Sequence, residues 1–349
     1  MNTREHTKAI KVGNKTIGGS NTVLIQSMCN IKTSNYVAVA NQINECANYG
    51  ADLMRVSILD MEDAKAIKEI KKRINIPLVA DIHFDYKLAI ECIKNGIDKI
   101  RINPGNIGSI EGIKELVEYC KKYNVPIRIG VNSGSVDKEL SKTGVHNAEL
   151  LVESAKKHVK ILEDLDFTNI IISIKSSNVR ETIEAYSLAS EIFPYPLHLG
   201  VTEAGTSDYS LIRSAAALSP LLLNGIGNTI RISITGNPVD EIIAAKRLLH
   251  DVDLYNSYPT LISCPTCGRT CVNLEDLAKR ISIYLETIKK PVKVAIMGCI
   301  VNGPGEAKNA DIGLAGGKGC FALFKKGIVI KTIPEKDAYT ELINEINNF

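Results

Sequence analysis

Three cysteines near the end of the chain have the spacing of ligands to a metal or a metal cluster. Cys264 and Cys267 form a C-x2-C turn, and Cys299 follows a run that predicts a strand. Thiols in this arrangement suit zinc, a redox pair or an iron–sulfur cluster. The glycine-rich loop Asn302-Gly-Pro-Gly comes soon after Cys299, and no histidine follows His250. Because glycine-rich backbone lets amide groups approach cluster sulfur, the pattern favours a cluster over structural zinc.

The other six cysteines occur in different settings. Three of them fall in stretches with helical periodicity, where a small core residue is the expected role. We leave the roles of the remaining three open between packing, a surface position and a spare ligand. The first group is Cys46, Cys92 and Cys120, and the second is Cys29, Cys271 and Cys320.

Polar side chains alternate with Val, Ile and Leu along a series of short β-branched runs. In a closed barrel, alternate residues of each strand point inward, so each polar series is expected to face one lumen. We predict that these inward residues bind the substrate. They are Arg55, Asp81, His83, Arg101, Asn103, Arg128, Asn132, Lys175, His198, Thr202, Arg231 and Ser233.

Five of the inward residues are cations, whereas Asp81 and Glu203 are the counter-charges that the pattern offers. A buried ion without a partner costs several kcal/mol, so the set implies a multiply charged anion. Arg binds phosphate oxygens bidentately, and a diphosphate is the natural candidate. The alternative is that these side chains are solvated strand ends or form internal salt bridges. The five cations are Arg55, Arg101, Arg128, Lys175 and Arg231.

The elements that must position these residues are eight consecutive strand–helix units. Eight such units favour a closed (β/α)8 barrel, the TIM barrel, over an open sheet, and no Gly-x-Gly-x-x-Gly turn follows the first strand. In the helical stretch 60–74, for example, Asp60 can cap the N-terminus. The predicted strands are 22–28, 53–58, 77–84, 99–104, 126–132, 169–175, 196–202 and 229–234.

The chain is expected to form two domains. Residues 1–21 predict a hairpin that turns at Gly13-Asn14 and plugs the bottom of the barrel. Periodicity is lost over 251–259, where Asp, Asn, Ser and Pro accumulate. We therefore assign 1–255 to the substrate-binding barrel and 256–349 to a smaller α+β domain, with a helix at 274–289 and strands at 292–296 and 327–332.

Composition excludes some classes of function. The 42 Lys and Arg against 39 Asp and Glu give a net charge of +3, so no global basic field indicates a nucleic-acid binder. The start has no apolar h-region, and no run of about 18 apolar residues could span a bilayer. We expect a cytoplasmic protein without nucleic-acid or membrane partners.

Taken together, the motifs identify a family. The sequence resembles bacterial 4-hydroxy-3-methylbut-2-enyl diphosphate synthases, in their short two-domain form, from about Lys8 to the C-terminus. The matching stretches are Gln26-Ser-Met28, Met54-Arg-Val-Ser57, Val79-Ala-Asp-Ile-His83, Ile100-Arg-Ile-Asn-Pro-Gly105, Ile127-Arg-Ile-Gly-Val-Asn-Ser-Gly134, His198-Leu-Gly-Val-Thr-Glu-Ala-Gly205, Ser263-Cys-Pro-Thr-Cys-Gly-Arg269 and Met297 through Glu306.

The resemblance implies a TIM barrel followed by a reductase-like domain that holds a [4Fe-4S] cluster through Cys264, Cys267, Cys299 and Glu306. It implies a head-to-tail homodimer in which the cluster domain of one chain covers the barrel mouth of the other. Flavodoxin or ferredoxin would supply two electrons. The implied reaction of isoprenoid biosynthesis converts 2-C-methyl-D-erythritol 2,4-cyclodiphosphate to (E)-4-hydroxy-3-methylbut-2-enyl diphosphate.

Glu203 is the predicted catalytic acid, because it follows strand seven at the mouth where catalytic groups gather in this fold. It would protonate the departing hydroxyl. The structural alternative for Glu203 is an ion pair with Lys175 or Arg231.

Two rival functions remain at this point. One is an aldolase-like or synthase-type phosphate-binding barrel with a structural metal, which iron analysis separates from the cluster enzyme. The other is an iron–sulfur carrier or sensor, which would not need a cationic lumen.

Overall fold

A computed structural model describes residues 3–103, 107, 109–132, 147–299, 307 and 309–349 of the chain. The chain divides into two compact units, one that ends at Leu254 and one that spans Tyr255–Phe349. The division predicted from the sequence falls after residue 255. Among the described helices, none is long and apolar enough to cross a membrane.

The first unit contains an eight-stranded parallel sheet with a helix after each strand. The sheet order is β8-β7-β6-β5-β4-β3-β10-β9. Its two ends meet, because Ile172 of β8 bridges to Leu197 and the Ile172 amide donates to the Pro196 carbonyl at 2.9 Å. The strands are β3 (Leu24–Met28), β4 (Leu53–Ser57), β5 (Leu78–Asp81), β6 (Lys99–Ile102), β7 (Ile127–Asn132), β8 (Ile170–Lys175), β9 (His198–Leu199) and β10 (Thr229–Ile230). The predicted (β/α)8 barrel is confirmed.

The helices begin and end where their sequences indicate. The Asp60 carboxylate accepts a hydrogen bond from the Asp63 amide at 2.9 Å, which is the predicted cap of α2. Gly50 ends α1 in the left-handed conformation (φ 109°), where other residues are strained. The helices are α1 (Tyr36–Tyr49), α2 (Met61–Lys71), α3 (Tyr86–Lys94), α4 (Ile110–Tyr123), α5 (Asn147–Glu163), α6 (Val179–Ile192), α7 (Ser207–Leu223) and α8 (Pro238–Asp251).

An N-terminal hairpin closes the lower end of the barrel. Its strands β1 (Ile10–Val12) and β2 (Lys15–Ile17) pair antiparallel. The hairpin buries its apolar side chains against residues near the starts of the barrel strands. This apolar plug consists of Ile10, Val12, Ile17, Leu24, Leu53, Val79 and Ile171. Strands of a parallel barrel all point the same way, so the plug lies opposite the mouth.

The second unit is a mixed α+β fold, as predicted. Its five-stranded sheet has the order β11-β12-β13-β14-β15, parallel from β11 to β13 and antiparallel beyond. Ile281 of α9 and Leu342 of α10 are fully buried in one apolar core with the sheet. The elements are β11 (Thr260–Ser263), α9 (Leu274–Leu285), β12 (Lys293–Met297), β13 (Ile312–Gly317), β14 (Cys320–Lys325), β15 (Ile328–Pro334) and α10 (Ala338–Asn347).

Strand β13, whose six residues include three glycines, is not among the strands predicted from the sequence. A Cβ on Gly313 would lie 2.3 Å from the Phe324 ring and 2.8 Å from the Ala295 carbonyl oxygen. Close packing between neighbouring strands therefore requires glycine at this position, and Gly313 does not mark a turn.

Candidate active site

A cavity of about 160 Å³ lies among inward residues of the barrel strands. Ten of the twelve residues predicted to bind substrate line it, and Gly130 and Ser173 also contribute. Asn103 and His198 are buried but do not line the cavity. The ten are Arg55, Asp81, His83, Arg101, Arg128, Asn132, Lys175, Thr202, Arg231 and Ser233.

Strand register brings the charged groups together. Asp81 on β5 is level with Arg101 on β6, which is level with Arg128 on β7. Three adjacent strands therefore present charged side chains at one height. Gly130 leaves room for this arrangement, since a Cβ there would lie 2.4 Å from the Arg101 Nε atom. The sequence contains a signal of this close approach, because Gly130 occupies the inward position between Arg128 and Asn132.

Asp81 is shared by two of the five cations. Its Oδ1 atom accepts from Arg101 Nη1 at 3.1 Å, and its Oδ2 atom lies 3.6 Å from Arg55 Nε. Burial alone would raise the pKa of Asp81, but the charges of Arg55, Arg101 and Arg128 outweigh it and lower the pKa to about 2. His83 Nε2 lies 3.0 Å from Arg101 Nη1. The Asp81 carboxylate is thus ionised at neutral pH.

Arg231 is paired with a residue that sequence reasoning missed. Its Nε and Nη2 atoms donate to the two carboxylate oxygens of Glu241 on α8, at 3.1 and 2.9 Å. Ser27 Oγ and the Ile234 amide also donate to this carboxylate, at 2.6 and 3.1 Å. The expectation that Glu203 supplies a counter-charge is therefore wrong for Arg231. Glu241 escaped notice because an acid in the first turn of a helix is ordinarily a partner of the helix dipole.

Two of the five cations have no carboxylate partner among the residues that the structure describes. They are Arg128, 1% exposed, and Lys175, 8% exposed. Burial lowers the pKa of each well below its usual value, and neighbouring positive charges lower it further, chiefly Arg55 for Arg128 and Arg231 for Lys175. These two residues leave the cavity with uncompensated positive charge.

Glu203 lies on a loop that is anchored from both sides but does not line the cavity. The Thr202 amide donates to the Ser176 carbonyl at 3.2 Å, and the Thr235 amide donates to the Gly205 carbonyl at 3.1 Å. Glu203 is exposed, with a left-handed backbone (φ 52°) that is uncommon outside glycine. Within the described part of the chain it forms no ion pair, so the predicted alternative, a pair with Lys175 or Arg231, is absent.

A second cavity, of about 230 Å³, lies in the C-terminal unit and is lined by Cys264, Cys267 and Cys299. Cys264 directly follows β11, and Cys299 follows β12 by two residues. These strands are parallel neighbours, with Ser263 level with Ile296, so their carboxyl ends bring the thiols together. The Gly298 amide donates to Cys264 Sγ at 3.2 Å.

The thiol cavity has the chemistry of a cluster site. Hydrogen bonds from Arg269 lower the pKa of the Cys267 thiol, and this favours the thiolate that binds metal. No three His, Cys, Asp or Glu side chains of the described residues form a site for a single metal ion. Soft thiols around a larger cavity, with an amide donor to sulfur, therefore fit an iron–sulfur cluster. Glu306, the fourth predicted ligand, lies outside the described residues.

The remaining cysteines do not line the thiol cavity. Cys46, Cys92 and Cys120 are fully buried, as predicted for core residues. Cys29 is also buried. Cys271 is exposed and donates to the Arg269 carbonyl at 3.1 Å.

Both units match models of one protein family. The GcpE TIM-barrel domain matches residues 7–246, and the GcpE protein C-terminal domain matches residues 260–348. A Clostridium perfringens protein described as 4-hydroxy-3-methylbut-2-en-1-yl diphosphate synthase (flavodoxin) is 54% identical, over 98% of this chain and 99% of that relative. A Ruminiclostridium cellulolyticum protein with the same description is 54% identical, over 99% of this chain and 98% of its own.

A solved structure is similar to about seven tenths of the chain. The dihydropteroate synthase of Yersinia pestis superposes with a TM-score of 0.53 at 13% sequence identity, over 71% of this chain and 98% of that one. At such low identity the likeness shows only the fold. The family models and the relatives with more than half of their residues identical go further, and they show that this chain belongs to the GcpE family.

Proposed function

We propose that this chain is an enzyme that reductively opens 2-C-methyl-D-erythritol 2,4-cyclodiphosphate and eliminates water, giving (E)-4-hydroxy-3-methylbut-2-enyl diphosphate. Flavodoxin supplies the two electrons. The observation that carries the proposal is the cavity with five cations in a member of the GcpE family. Relatives described as 4-hydroxy-3-methylbut-2-en-1-yl diphosphate synthases (flavodoxin) support it along nearly the full chain.

The cavity suits a diphosphate because of its charge balance. Among the residues that the structure describes, five cations face two carboxylates, those of Asp81 and Glu241, so the cations outnumber the anions by three when all are ionised. Arg128 and Lys175 gain most from an anion, since neither has a carboxylate partner among the described residues. Arginine forks bind phosphate oxygens in two parallel hydrogen bonds. The five cations called substrate-binding from the sequence are proposed to hold the diphosphate in this way, with the five other predicted positions that line the cavity around it.

The proposed cofactor is a [4Fe-4S] cluster. Cys264, Cys267 and Cys299 would hold three irons, and Glu306 would hold the fourth as the family resemblance implies. When bound, such a cluster supplies single electrons and an iron that can accept an oxygen ligand. A carboxylate is a harder and more exchangeable ligand than a thiolate, so Glu306 would be the most exchangeable of the four proposed ligands.

The protein's own residues have two proposed tasks during the reaction. The five cations hold the diphosphate while the ring C–O bond to phosphate breaks, and they stabilise the charge that develops on the phosphate oxygen. Glu203 donates a proton to the departing hydroxyl. Its exposure and its anchored loop suit a group that must reach a substrate at the mouth.

We further propose a homodimer in which the cluster unit of a second copy covers the barrel mouth. Segments that follow the carboxyl ends of β4, β5, β6 and β9 expose large apolar side chains. Exposed apolar side chains on several segments at one end of a barrel are typical of a surface that is covered by protein. The exposed residues are Leu59 (70%), Phe84 (76%), Ile110 (66%), Tyr209 (65%) and Ile212 (71%).

The activity is tested with anaerobically purified full chain, reduced flavodoxin and the cyclic diphosphate, with the product identified by mass spectrometry. Iron and sulfide are quantified on the same preparation. We expect about four of each per chain and formation of the open diphosphate. Full zinc occupancy with no iron would remove the cluster, and failure to bind the cyclic diphosphate would remove the substrate assignment.

Mixed dimers test the shared site. A chain with Arg101→Ala is combined with a chain with Cys299→Ser, each inactive alone. Random exchange makes half of the dimers mixed, and each mixed dimer has one intact site, so we expect about a quarter of wild-type activity. No recovery after verified subunit exchange would contradict the covering of one barrel by another chain's cluster unit.

A further inference from the structure

The barrel interior contains a second polar layer below the cavity. We call it the deep layer: Gln26 on β3, Lys99 on β6 and His198 on β9, together with Arg128 on β7, which is level with Arg101 and forms the boundary with the cavity. Each of the four is at most 1% exposed. Lys99 precedes Arg101 by two residues, and Gln26 likewise precedes Met28, so both lie one step further from the mouth.

The deep layer lies between the cavity above and the apolar plug below. Of its members, Arg128 lines the cavity above, while Gln26, Lys99 and His198 do not. The apolar plug closes the barrel below, where Leu24 and Val79 are buried. The polar atoms of this layer therefore have no route to bulk solvent through the barrel floor.

Hydrogen-bond donors in the deep layer outnumber acceptors. Lys99 Nζ donates to Gln26 Oε1 at 3.1 Å, its one hydrogen bond within the described part of the chain. Gln26 Nε2 and the Nε and Nη1 atoms of Arg128 are buried without any partner. His198 Nδ1 contacts Thr229 Oγ1 at 2.7 Å, and its Nε2 atom is also without a partner. Buried polar atoms in folded proteins nearly always have partners, so an acceptor is missing here.

The missing acceptor should carry negative charge. Neither Lys99 nor Arg128 has a carboxylate within ion-pair distance among residues 3–103, 107, 109–132, 147–299, 307 and 309–349. Burial lowers the pKa values of both Lys99 and His198, and the positive charge of Arg128 lowers them further. Both residues are therefore close enough to Arg128 to be affected by its unpaired charge. A water molecule would satisfy two donors but would leave the charge unbalanced.

We propose that the deep layer binds one small inorganic anion of halide size between Lys99, Arg128 and Gln26, separately from the substrate. The interior of an eight-stranded barrel is just wide enough for its side chains, which favours a halide over an oxoanion. The bound anion satisfies the lower side of the Arg128 guanidinium. It thereby holds Arg128, which forms part of the cavity floor, in a fixed position. This inference does not depend on the proposed reaction.

Bromide locates the site directly. Crystals of the full chain are grown with bromide in place of chloride, and anomalous differences are measured at the bromine edge. We expect one peak in the barrel interior within hydrogen-bond distance of Lys99 Nζ. Only water at that position, or no density, would overturn the proposal, because Lys99 would then be a neutral amine.

Thermal unfolding gives a second, independent measurement. The full chain is titrated with sodium chloride against sodium gluconate at constant ionic strength. We expect Tm to rise with chloride, and Lys99→Met to weaken the apparent halide affinity about tenfold or more, as for loss of a hydrogen bond to a charged group. Lys15→Met is the matched control, because Lys15 is already paired with Asp52 at 2.7 Å.

Two outcomes contradict the site in this experiment. One is a wild-type Tm that does not respond to chloride, and the other is an equal loss of response in Lys15→Met. If Lys99→Met does not fold, Gln26→Leu serves instead, since it keeps the lysine charge and removes its hydrogen-bond partner. It should show weaker halide binding than wild type, and unchanged binding would argue against the proposal.

Discussion

The two cavities of this chain are built in opposite ways. The barrel cavity takes its charged side chains from strands, where register and neighbouring strands hold Asp81, Arg101 and Arg128 at one height. The thiol cavity takes Cys264, Cys267 and Cys299 from segments that follow strand ends. A strand fixes a side chain before any ligand arrives, whereas a loop ligand gains its final position from the group that it binds. The difference teaches that the barrel is preorganised, and it leads us to expect that the thiol site takes its final form only with the proposed cluster.

The two cavities also differ in how an empty site affects the stability of the folded protein. Arg128 and Lys175 are buried cations without a carboxylate partner among the described residues, and repulsion among such groups opposes folding. Cys264 and Cys267, by contrast, are half-buried and exposed, so solvent reaches both thiols. We therefore expect the barrel to trade stability for binding, and the C-terminal unit to gain stability from its cofactor.

The largest effect should come from the thiol cavity. Cys299→Ser is expected to abolish bound iron and activity, because it removes one of three thiolate ligands, while affinity for the cyclic diphosphate stays at the wild-type value. Iron content, turnover and calorimetric affinity are measured on one anaerobic preparation. Cys271→Ser is the matched control, since Cys271 lies nearby but does not line the cavity. Equal loss of iron in both variants would mean that the ligands are misassigned.

The second-largest effect should come from Glu203→Gln. This variant distinguishes a role in catalysis from a role in holding the barrel site in position. The amide keeps the size of the side chain but cannot donate a carboxylic proton, so turnover should fall about 10²- to 10⁴-fold. Iron content, substrate affinity and Tm should not change, because Glu203 is exposed and forms no ion pair with any described residue. A single-turnover rate near that of wild type would eliminate Glu203 as the acid.

A third prediction tests the cost of the unpaired cations. Lys175→Met should weaken substrate binding by about 2 to 5 kcal/mol, as when one partner of a buried charge pair is removed. It should also raise Tm without substrate, because it removes a buried charge that has no carboxylate partner among the described residues.

Arg101→Met is the contrast for that prediction. It should weaken binding by a similar amount, about 2 to 5 kcal/mol, but it should lower Tm, because Asp81 loses its 3.1 Å partner. Differential scanning calorimetry with and without substrate distinguishes the two variants. If both changes lower Tm alike, the barrel does not trade stability for binding.

The strand-borne part of the site could be predicted because strands have a strict period of two. Alternation alone placed Arg55, Arg101 and Arg128 in one lumen, and all three line the cavity. The same rule also selected His198, which points inward at a lower level and contacts Thr229. Alternation gives the face of the sheet, but height along the barrel depends on register between strands, which one sequence does not state.

Contributions from outside the strands could not be predicted in this way. Glu241 comes from the first turn of α8, and its contact with Arg231 depends on how that helix packs against β3. Strand β13 was missed because three of its six residues are glycines, and the close packing of Gly313 against Phe324 is not visible in any local pattern. The cysteine ligands were found through their motif, since loops have no periodicity.

The smallest effect should come from Glu241→Gln. This variant tests whether a helix residue, like the barrel strands, helps to hold the site in its binding geometry. Glutamine keeps one hydrogen bond to Arg231 but loses the charge, and the difference between a charged and a neutral hydrogen bond is about 1 kcal/mol. We expect KM for the cyclic diphosphate to rise about fivefold with turnover nearly unchanged, because Arg231 would be less firmly oriented.

Asp240→Asn is the matched control. Asp240 lies in the same first turn of α8 and is exposed, so this change alters the helix-dipole interaction equally without touching Arg231. An equal rise in KM for both variants would assign the effect to the start of the helix, whereas a rise confined to Glu241→Gln would extend the preorganised barrel site to the surrounding helices.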